Sequence, residues 1–331
     1  MPEEIDFLAV GDMVVDDFIR LENAHVNCKI NTSDCEICMP FGAKVPFSGN
    51  SIIYAVGNSP NASVSAACLG LKSALLTNAG ADEHGRECLE KLKGSGVKTD
   101  LVKLHQGLKT NYHYVLWYGD ERTILIKHEE YPYTLPEIGS PRYLYLSSLG
   151  KESLAFHETL AKYLEKHPEI ILSFQPGTYQ IKFGKNALAK IYERAEILAC
   201  NKEEAQTITE QKNDDPKVLA NALSALGPKK VLLTDGPRGA YLLSDGDFYF
   251  MLPYPDPKPP VERTGAGDAF ASTFTASLAK GKDPIEAMRF AGINAMSVVQ
   301  QVGAQAGLLD EVNIEHYLNK APAQYYPTKI V

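Results

Sequence analysis

The sequence predicts an α/β fold: a mostly parallel central sheet with covering helices, and a second, small sheet outside the main body. Three observations carry this. From Pro141 onward, apolar runs of strand length alternate with helical patterns, and such β-α-β-α order builds parallel sheets. Two regions, about 12–50 and 110–130, hold short extended pieces and little helix, so they can pair into one small sheet. Near the C-terminus the turn Thr264-Gly265-Ala266-Gly267-Asp268 opens a long helix of small residues. The whole chain, 1–331, is expected to form one domain.

Taken in order, Ile5 to Val10 is an apolar run ending in Gly11-Asp12, the pattern of a buried parallel strand. Met13 to Leu21 is a second extended piece. Gly57-Asn58-Ser59-Pro60-Asn61 reads as a turn, with a helix from Ala62 to Leu69. Ser73–Ala79 is a strand and Glu83–Lys93 an amphipathic helix stopped by Gly94-Ser95-Gly96. Asn111–Tyr118 and Arg122–Glu129 form a hairpin around Gly119-Asp120-Glu121. Strands are expected at Tyr143–Ser147, Ile170–Phe174, Ala195–Cys200 and Lys230–Asp235, with helices at Ser153–Lys166 and Asn186–Arg194. Ala240–Leu243 and Phe248–Leu252 make a closing edge hairpin. The last helices are Asp268–Lys280, Ile285–Gln301 and Glu311–Asn319.

Bulk properties exclude several classes. The formal net charge is −8 and the pI about 5.6, so nothing draws the chain to nucleic acid or anionic lipid. No apolar run is long enough to span a bilayer. The opening MPEEIDFLAVGD is acidic and runs into a strand, so no signal peptide is read, and a cytoplasmic protein with six reduced cysteines is expected. His25, Cys28, Cys35 and Cys38 lie close together and could hold zinc, but a single C-x-x-C favours ordinary thiols.

The chemistry centres on residues 264–268. Gly265 and Gly267 let backbone N–H groups approach a ligand closely, and the helix start adds unpaired N–H groups and a positive dipole end. That arrangement binds phosphate. Asp268 then has two readings: a helix cap, or a base that takes a proton from an attacking hydroxyl. Asn201-Lys202-Glu203-Glu204 likewise has the form of a capping box.

Together the motifs resemble the PfkB (ribokinase-like) family of carbohydrate and nucleoside kinases, over nearly the whole chain. Glu262-Arg263-Thr264-Gly265-Ala266-Gly267-Asp268 is close to the family's D-T-x-G-A-G-D. Val56-Gly57-Asn58-Ser59-Pro60-Asn61 takes the place of G-G-x-x-x-N, lacking the first glycine. Asn201 to Glu204 matches N-x-x-E, and Thr234-Asp235-Gly236-Pro237-Arg238-Gly239 resembles T-x-G-x-x-G. Gly11-Asp12 with Asp16 falls where the family carries its sugar-binding Asp.

The resemblance implies a ribokinase-like three-layer sandwich with a small β-sheet lid, and an ATP-dependent, magnesium-dependent kinase. Asp268 would be the base, and Gly265, Ala266 and Gly267 the anion hole. Asp12, Asp16, Gly57, Asn58 and Asn61 would meet the substrate. Asn201, Thr234, Gly236, Gly239, Asn294 and Gly303 would lie on the nucleotide side, and Glu204 near magnesium. Lys127 or His128 on the lid would face the substrate or the γ-phosphate. Some members bind K⁺ through an Asp that is Glu262 here, which leaves K⁺ open. A ribokinase-type sugar kinase is the first reading, a nucleoside kinase the alternative, with Phe41, Phe47, Tyr112, Tyr114 and Trp117 as candidate base platforms. A silent sugar-binding regulatory module on the same fold is the alternative of another class. The resemblance also implies a homodimer through the lid. A dinucleotide-binding oxidoreductase is excluded: Phe270 stands where G-x-G-x-x-G needs a small residue, and the preceding segment is proline-rich.

Overall fold

The computed structural model describes residues 4–28, 35–119 and 121–330. In chain order its elements are β1 (Phe7–Val10), β2 (Val14–Leu21), β3 (His25–Cys28), β4 (Cys35–Cys38), β5 (Phe47–Val56), α1 (Asn58–Cys68), β6 (Ser73–Gly80), α2 (Glu83–Gly94), β7 (Val102–His105), β8 (Asn111–Tyr118) and β9 (Glu121–Lys127). There follow β10 (Tyr143–Leu146), α3 (Leu154–Lys166), β11 (Ile171–Phe174), α4 (Thr178–Phe183), α5 (Ala189–Arg194), β12 (Ala195–Asn201), α6 (Lys202–Thr209), α7 (Pro216–Ser224) and β13 (Lys230–Thr234). The chain ends with β14 (Ala240–Ser244), β15 (Asp247–Met251), α8 (Ala266–Ala279), α9 (Pro284–Val298), α10 (Glu311–Asn319) and β16 (Thr328–Ile330).

The main sheet has ten strands in the order β16-β15-β14-β13-β12-β11-β10-β1-β6-β7. From β13 through β7 every pairing is parallel, and β14 to β16 close one edge antiparallel. The apolar strands FLAV and YLYL are buried on both sides, as central parallel strands require. Alternation sorts them: Phe7 and Ala9 pack with α1, α8 and α9, while Leu8 and Val10 pack with α3, α5 and α7. The result is a three-layer sandwich.

The lid is a second sheet, β5-β2-β8-β9. The two outlying strand regions do pair, through a parallel contact of β2 with β8. The β3–β4 hairpin stands apart, and its register sets Cys28 opposite Cys35. These two form a disulfide. That corrects the expectation of six free thiols and removes two of the four proposed zinc ligands. Asp120, at the tip of the predicted lid turn, lies outside the described residues.

Other differences are local. Helix α1 starts at Asn58 rather than Ala62. Gly57, at φ 119°, makes the turn, and Pro60 falls in the first helical turn, where no N–H is needed. Val56 takes an ordinary negative φ at the family's first glycine, so a side chain is tolerated there; it is buried. The short elements β7, α4, α7 and β16 were not predicted. No helix of the described residues is long and apolar enough to cross a membrane.

Candidate active site

Strands β1, β10, β11, β12 and β13 run parallel, so their carboxyl ends open on one edge of the sheet. Ligands bind at that edge in open α/β sheets. The amino ends of α1 and α8 meet there.

At the start of α8, Gly265 adopts φ 78° and packs so tightly that a Cβ would lie 2.3 Å from that of Ala304. Only glycine fits. A Cβ on Gly267 would meet open space. No side chain caps this helix, so its first N–H groups face the cleft. The cap reading of Asp268 is thereby replaced.

The Asp268 carboxylate is instead held by three amides. Asn58 Nδ2 and Gln175 Nε2 donate to Oδ1 at 2.8 and 3.0 Å, and Asn61 Nδ2 donates to Oδ2 at 2.8 Å. Gln175 follows β11, and its Oε1 accepts from the buried Tyr145 hydroxyl. Burial pushes the Asp268 carboxyl above the usual range, and the three amides pull it back only in part. A raised carboxyl is a stronger base than an ordinary Asp. This geometry corrects the expectation that Asn61 meets the substrate. Its Nδ2 serves Asp268, its Oδ1 accepts from Gln305, and the residue is buried. Asn58 also binds Asp268, while still lining the cleft.

Beside Asp268 a polar pocket of about 230 Å³ is lined by Asn201, Glu204, Gly265, Gly267 and Arg263. The capping box is real: Asn201 Oδ1 accepts from Glu204 N–H and Glu204 Oε2 from Asn201 N–H. Burial raises the Glu204 carboxyl, and the Asp268 charge adds to the rise. Among the described residues no three of His, Cys, Asp or Glu converge to form a cage for a metal. Two carboxylates around a polar pocket suit Mg²⁺, which keeps most of its waters and takes phosphate oxygens.

A larger cleft of about 540 Å³ continues from this pocket, sharing Thr234, Arg263, Gly267 and Phe270 with it. Gly236 and Gly239 line it, as do the apolar Met251, Leu252, Met296 and Val299. Its size and apolar lining suit a flat heterocycle. Gly239 is also structural, since a Cβ there would meet Met251 O at 2.4 Å. Two expected nucleotide residues lie elsewhere. Asn294 is fully buried; it donates to Thr273 Oγ1 and accepts from Leu309 N–H, tying α9 to α8. Gly303 packs against Ile53 of the lid and donates to Glu262 Oε1.

On the other side of Asp268, Gly57 crosses close to the carbonyl of Asp12, where a Cβ would lie at 2.8 Å. Asp12 is buried, not solvated, and Tyr133 Oη reaches its carboxylate at 3.0 and 2.9 Å. Asp16, on β2, lies 3.3 Å from His113 Nδ1. His113 touches His128, and His128 lies 3.6 Å from Asp12. Lys127 points to solvent with Glu129, so His128 is the one of that pair that faces the site.

None of the five candidate aromatic platforms lines the two clefts. Phe41 is fully exposed, Phe47 and Tyr114 are exposed, Tyr112 donates to Asp17, and Arg20 stacks on Trp117. Gln175, Tyr133, His113 and Arg122 were not singled out in the sequence. Arg122, on lid strand β9, lines the polar pocket and lies 3.6 Å from the buried Glu262. Glu262 also accepts from Thr264 N–H at 2.9 Å, which braces the anion turn.

Comparison with known proteins agrees with this architecture. A family model described as pfkB family carbohydrate kinase matches residues 51–311. A ribokinase of Bacillus subtilis is 29% identical over 80% of this chain and 87% of its own length. A nucleoside kinase of Methanothermobacter thermautotrophicus is 26% identical over 77% of this chain and 81% of its own. The structure of Arabidopsis thaliana ribokinase complexed with ribose and ATP superposes with a TM-score of 0.77 at 22% identity, covering 95% of this chain and 99% of that one.

Proposed function

The chain belongs to the pfkB family of carbohydrate kinases, phosphotransferases that act on an alcohol group, and we propose that it moves the γ-phosphoryl group of ATP to a hydroxyl of a small sugar. The observation that carries this is the position of Asp268. It lines the phosphate-sized pocket at the uncapped start of α8, on the side where α1 brings Asn58 and Asn61. A sugar hydroxyl would lose its proton to Asp268 as its oxygen attacks the γ-phosphorus in line, while Asp12 and Asp16 would bind other hydroxyls of the same sugar. The N–H groups of Gly265, Ala266 and Gly267 meet the charge that builds on the phosphoryl oxygens.

Glu204, with Asn201, would help hold Mg²⁺, which would supply positive charge to the phosphates. Arg122 would supply a further positive charge from the lid. Its closeness to Glu262 supports activity without K⁺, because a fixed cation already faces that carboxylate. A sugar is favoured over a nucleoside because the candidate base platforms are spent on other contacts or exposed. The exposed Tyr114 and Leu125, paired across β8 and β9, support a homodimer closed through that face of the lid, so a solution mass near 36.3 kDa would sink that part.

The test is ADP release from Mg·ATP across sugars and nucleosides, with and without K⁺. Asp268→Asn is expected to lower turnover on the order of 10³-fold while sugar binding persists. Undiminished turnover would remove Asp268 as the base. Binding with no turnover of any acceptor in the native protein would make it a regulatory module.

A further inference from the structure

Of the six residues expected on the nucleotide side, none is a cation. The clefts that meet at the start of α8 nevertheless carry negative charge. Glu204 and Asp268 line the smaller one, and Asp256 lines the larger. A polyphosphate laid along them meets like charge unless fixed cations stand there too. Neighbouring cations are already spent. Lys202, next to Asn201, lies 2.9 Å from Asp214 and 3.5 Å from Asp235. Arg238, between Gly236 and Gly239, pairs with Asp235. Two arginines do line the clefts. Arg122 comes from the lid and stands 3.6 Å from Glu262. Arg263 comes from the floor, and among the described residues it is the one charged residue that lines both clefts.

The backbone that carries Arg263 is fixed on both sides. Val261 N–H donates to Val299 O at 2.8 Å. Glu262 accepts from Thr264 N–H and from Gly303 N–H, each at 2.9 Å, and Thr264 Oγ1 also donates to it. Pro253, Pro255, Pro257, Pro259 and Pro260 stiffen the approach. The guanidinium itself is exposed and forms no ion pair among the described residues. Its nearest counter-charge is Asp256: burial pushes that carboxyl up, and the Arg263 charge pulls it back in part. Arg263 is therefore a cation on a rigid base, free to meet an anion at the junction of the two clefts. In the motif D-T-x-G-A-G-D its position is a threonine, so this charge belongs to this chain and not to the motif.

We propose that Arg263 binds the phosphoryl donor: its guanidinium grips the phosphates that join the nucleotide's heterocycle to the transferred group. The inference rests on the kinase reading. With the heterocycle in the larger cleft and the transferred group beside Asp268, the phosphates between them cross the junction that Arg263 lines. A planar fork of N–H donors matches phosphate oxygens two at a time. Those phosphates stay behind on ADP. The grip is therefore the same before, during and after transfer, and it strengthens donor binding without lowering the barrier. Arg122 differs, because it reaches only the smaller pocket.

The test uses the full chain with Mg²⁺ present. ADP binding is measured by calorimetry, beside steady-state kinetics and a thermal melt. Arg263→Met should weaken ADP binding roughly ten- to a hundredfold. The KM for ATP should rise by the same factor, with kcat and the acceptor KM within about twofold of native. Arg263→Lys should recover part of both losses, since a point charge replaces the fork. Added salt should narrow the gap between native and Arg263→Met. A folded Arg263→Met that binds ADP as the native protein does overturns the proposal. So does a fall in kcat at unchanged ADP affinity, which would move Arg263 to the transferred group. If Arg263→Met melts early, Arg263→Lys decides by its ADP affinity and its salt response. If the native protein binds ADP but phosphorylates no acceptor, the kinase reading fails and ADP affinity still judges Arg263. A native protein that binds no ADP overturns both.

Discussion

On the floor of the cleft, each polar group is held by a neighbour that cannot move far. Asp268 is gripped by amides from α1 and from the end of β11, and Gly265 is wedged against Ala304. The lid is held differently. It meets the floor through Arg122 against Glu262 and His128 against Asp12, each at 3.6 Å, and its outer strand leaves Leu125 and Ile126 half exposed or more. The floor is preorganised for one reaction. The cover rests on a few longer polar contacts. Rate should therefore live mainly in the floor and selectivity in the cover.

The largest expected effect breaks the floor. Gly265→Ala places a Cβ at 2.3 Å from Ala304 and forces a side chain onto φ 78°. The anion turn must shift, so kcat should fall on the order of 10³-fold, the upper range for losing a preorganised donor. Steady-state kinetics beside a thermal melt separate this from unfolding. A variant with native kcat would show that the turn tolerates displacement and that the floor is not preorganised.

A smaller effect is expected from the cover. Arg122→Met removes the lid's cation from the phosphate pocket and leaves Glu262 without that neighbour. A fall in kcat of roughly 10–100-fold is expected, with Arg122→Lys recovering part of it, since a point charge replaces a planar fork. If only the acceptor KM changes, Arg122 belongs to recognition and the division of labour drawn above fails on the lid side.

The same contrast explains what could be read in the sequence. The anion turn was legible because its geometry is local: two glycines, a small-residue helix and an acidic residue lie within five positions. The central strands were legible because each carries an apolar run of strand length; their order in the sheet was not. Gln175 was not, because it is a single polar residue after a strand and acquires meaning only when β11 is laid beside β10. Asn58 and Asn61 were found but their shared bond to Asp268 was not, since helix spacing puts both amides on one face without saying what lies opposite. In the lid, His113 and His128 meet across the β8–β9 hairpin, and Arg122 reaches Glu262 over 140 residues of sequence. Register across a two-sided sheet is weakly specified by pattern, so neither contact could be placed beforehand.

The smallest kinetic effect is expected at Asn294, which bears on whether the floor's rigidity reaches into the helices behind it. Its amide joins Thr273 of α8 to the backbone of Leu309, and it is fully buried. Asn294→Ala leaves a part-buried N–H and a buried hydroxyl without that partner, which costs about 1–3 kcal/mol of stability. The melting temperature should fall by roughly 2–4 °C for each kcal/mol. The KM for ATP should stay within about twofold, because the side chain faces α8 and not the apolar cleft. A tenfold rise in that KM at unchanged melting temperature would return Asn294 to the nucleotide. A fall in kcat together with the melting temperature would mean instead that α8 transmits strain from its core to Asp268, and that the floor is rigid only as long as the packing behind it is intact.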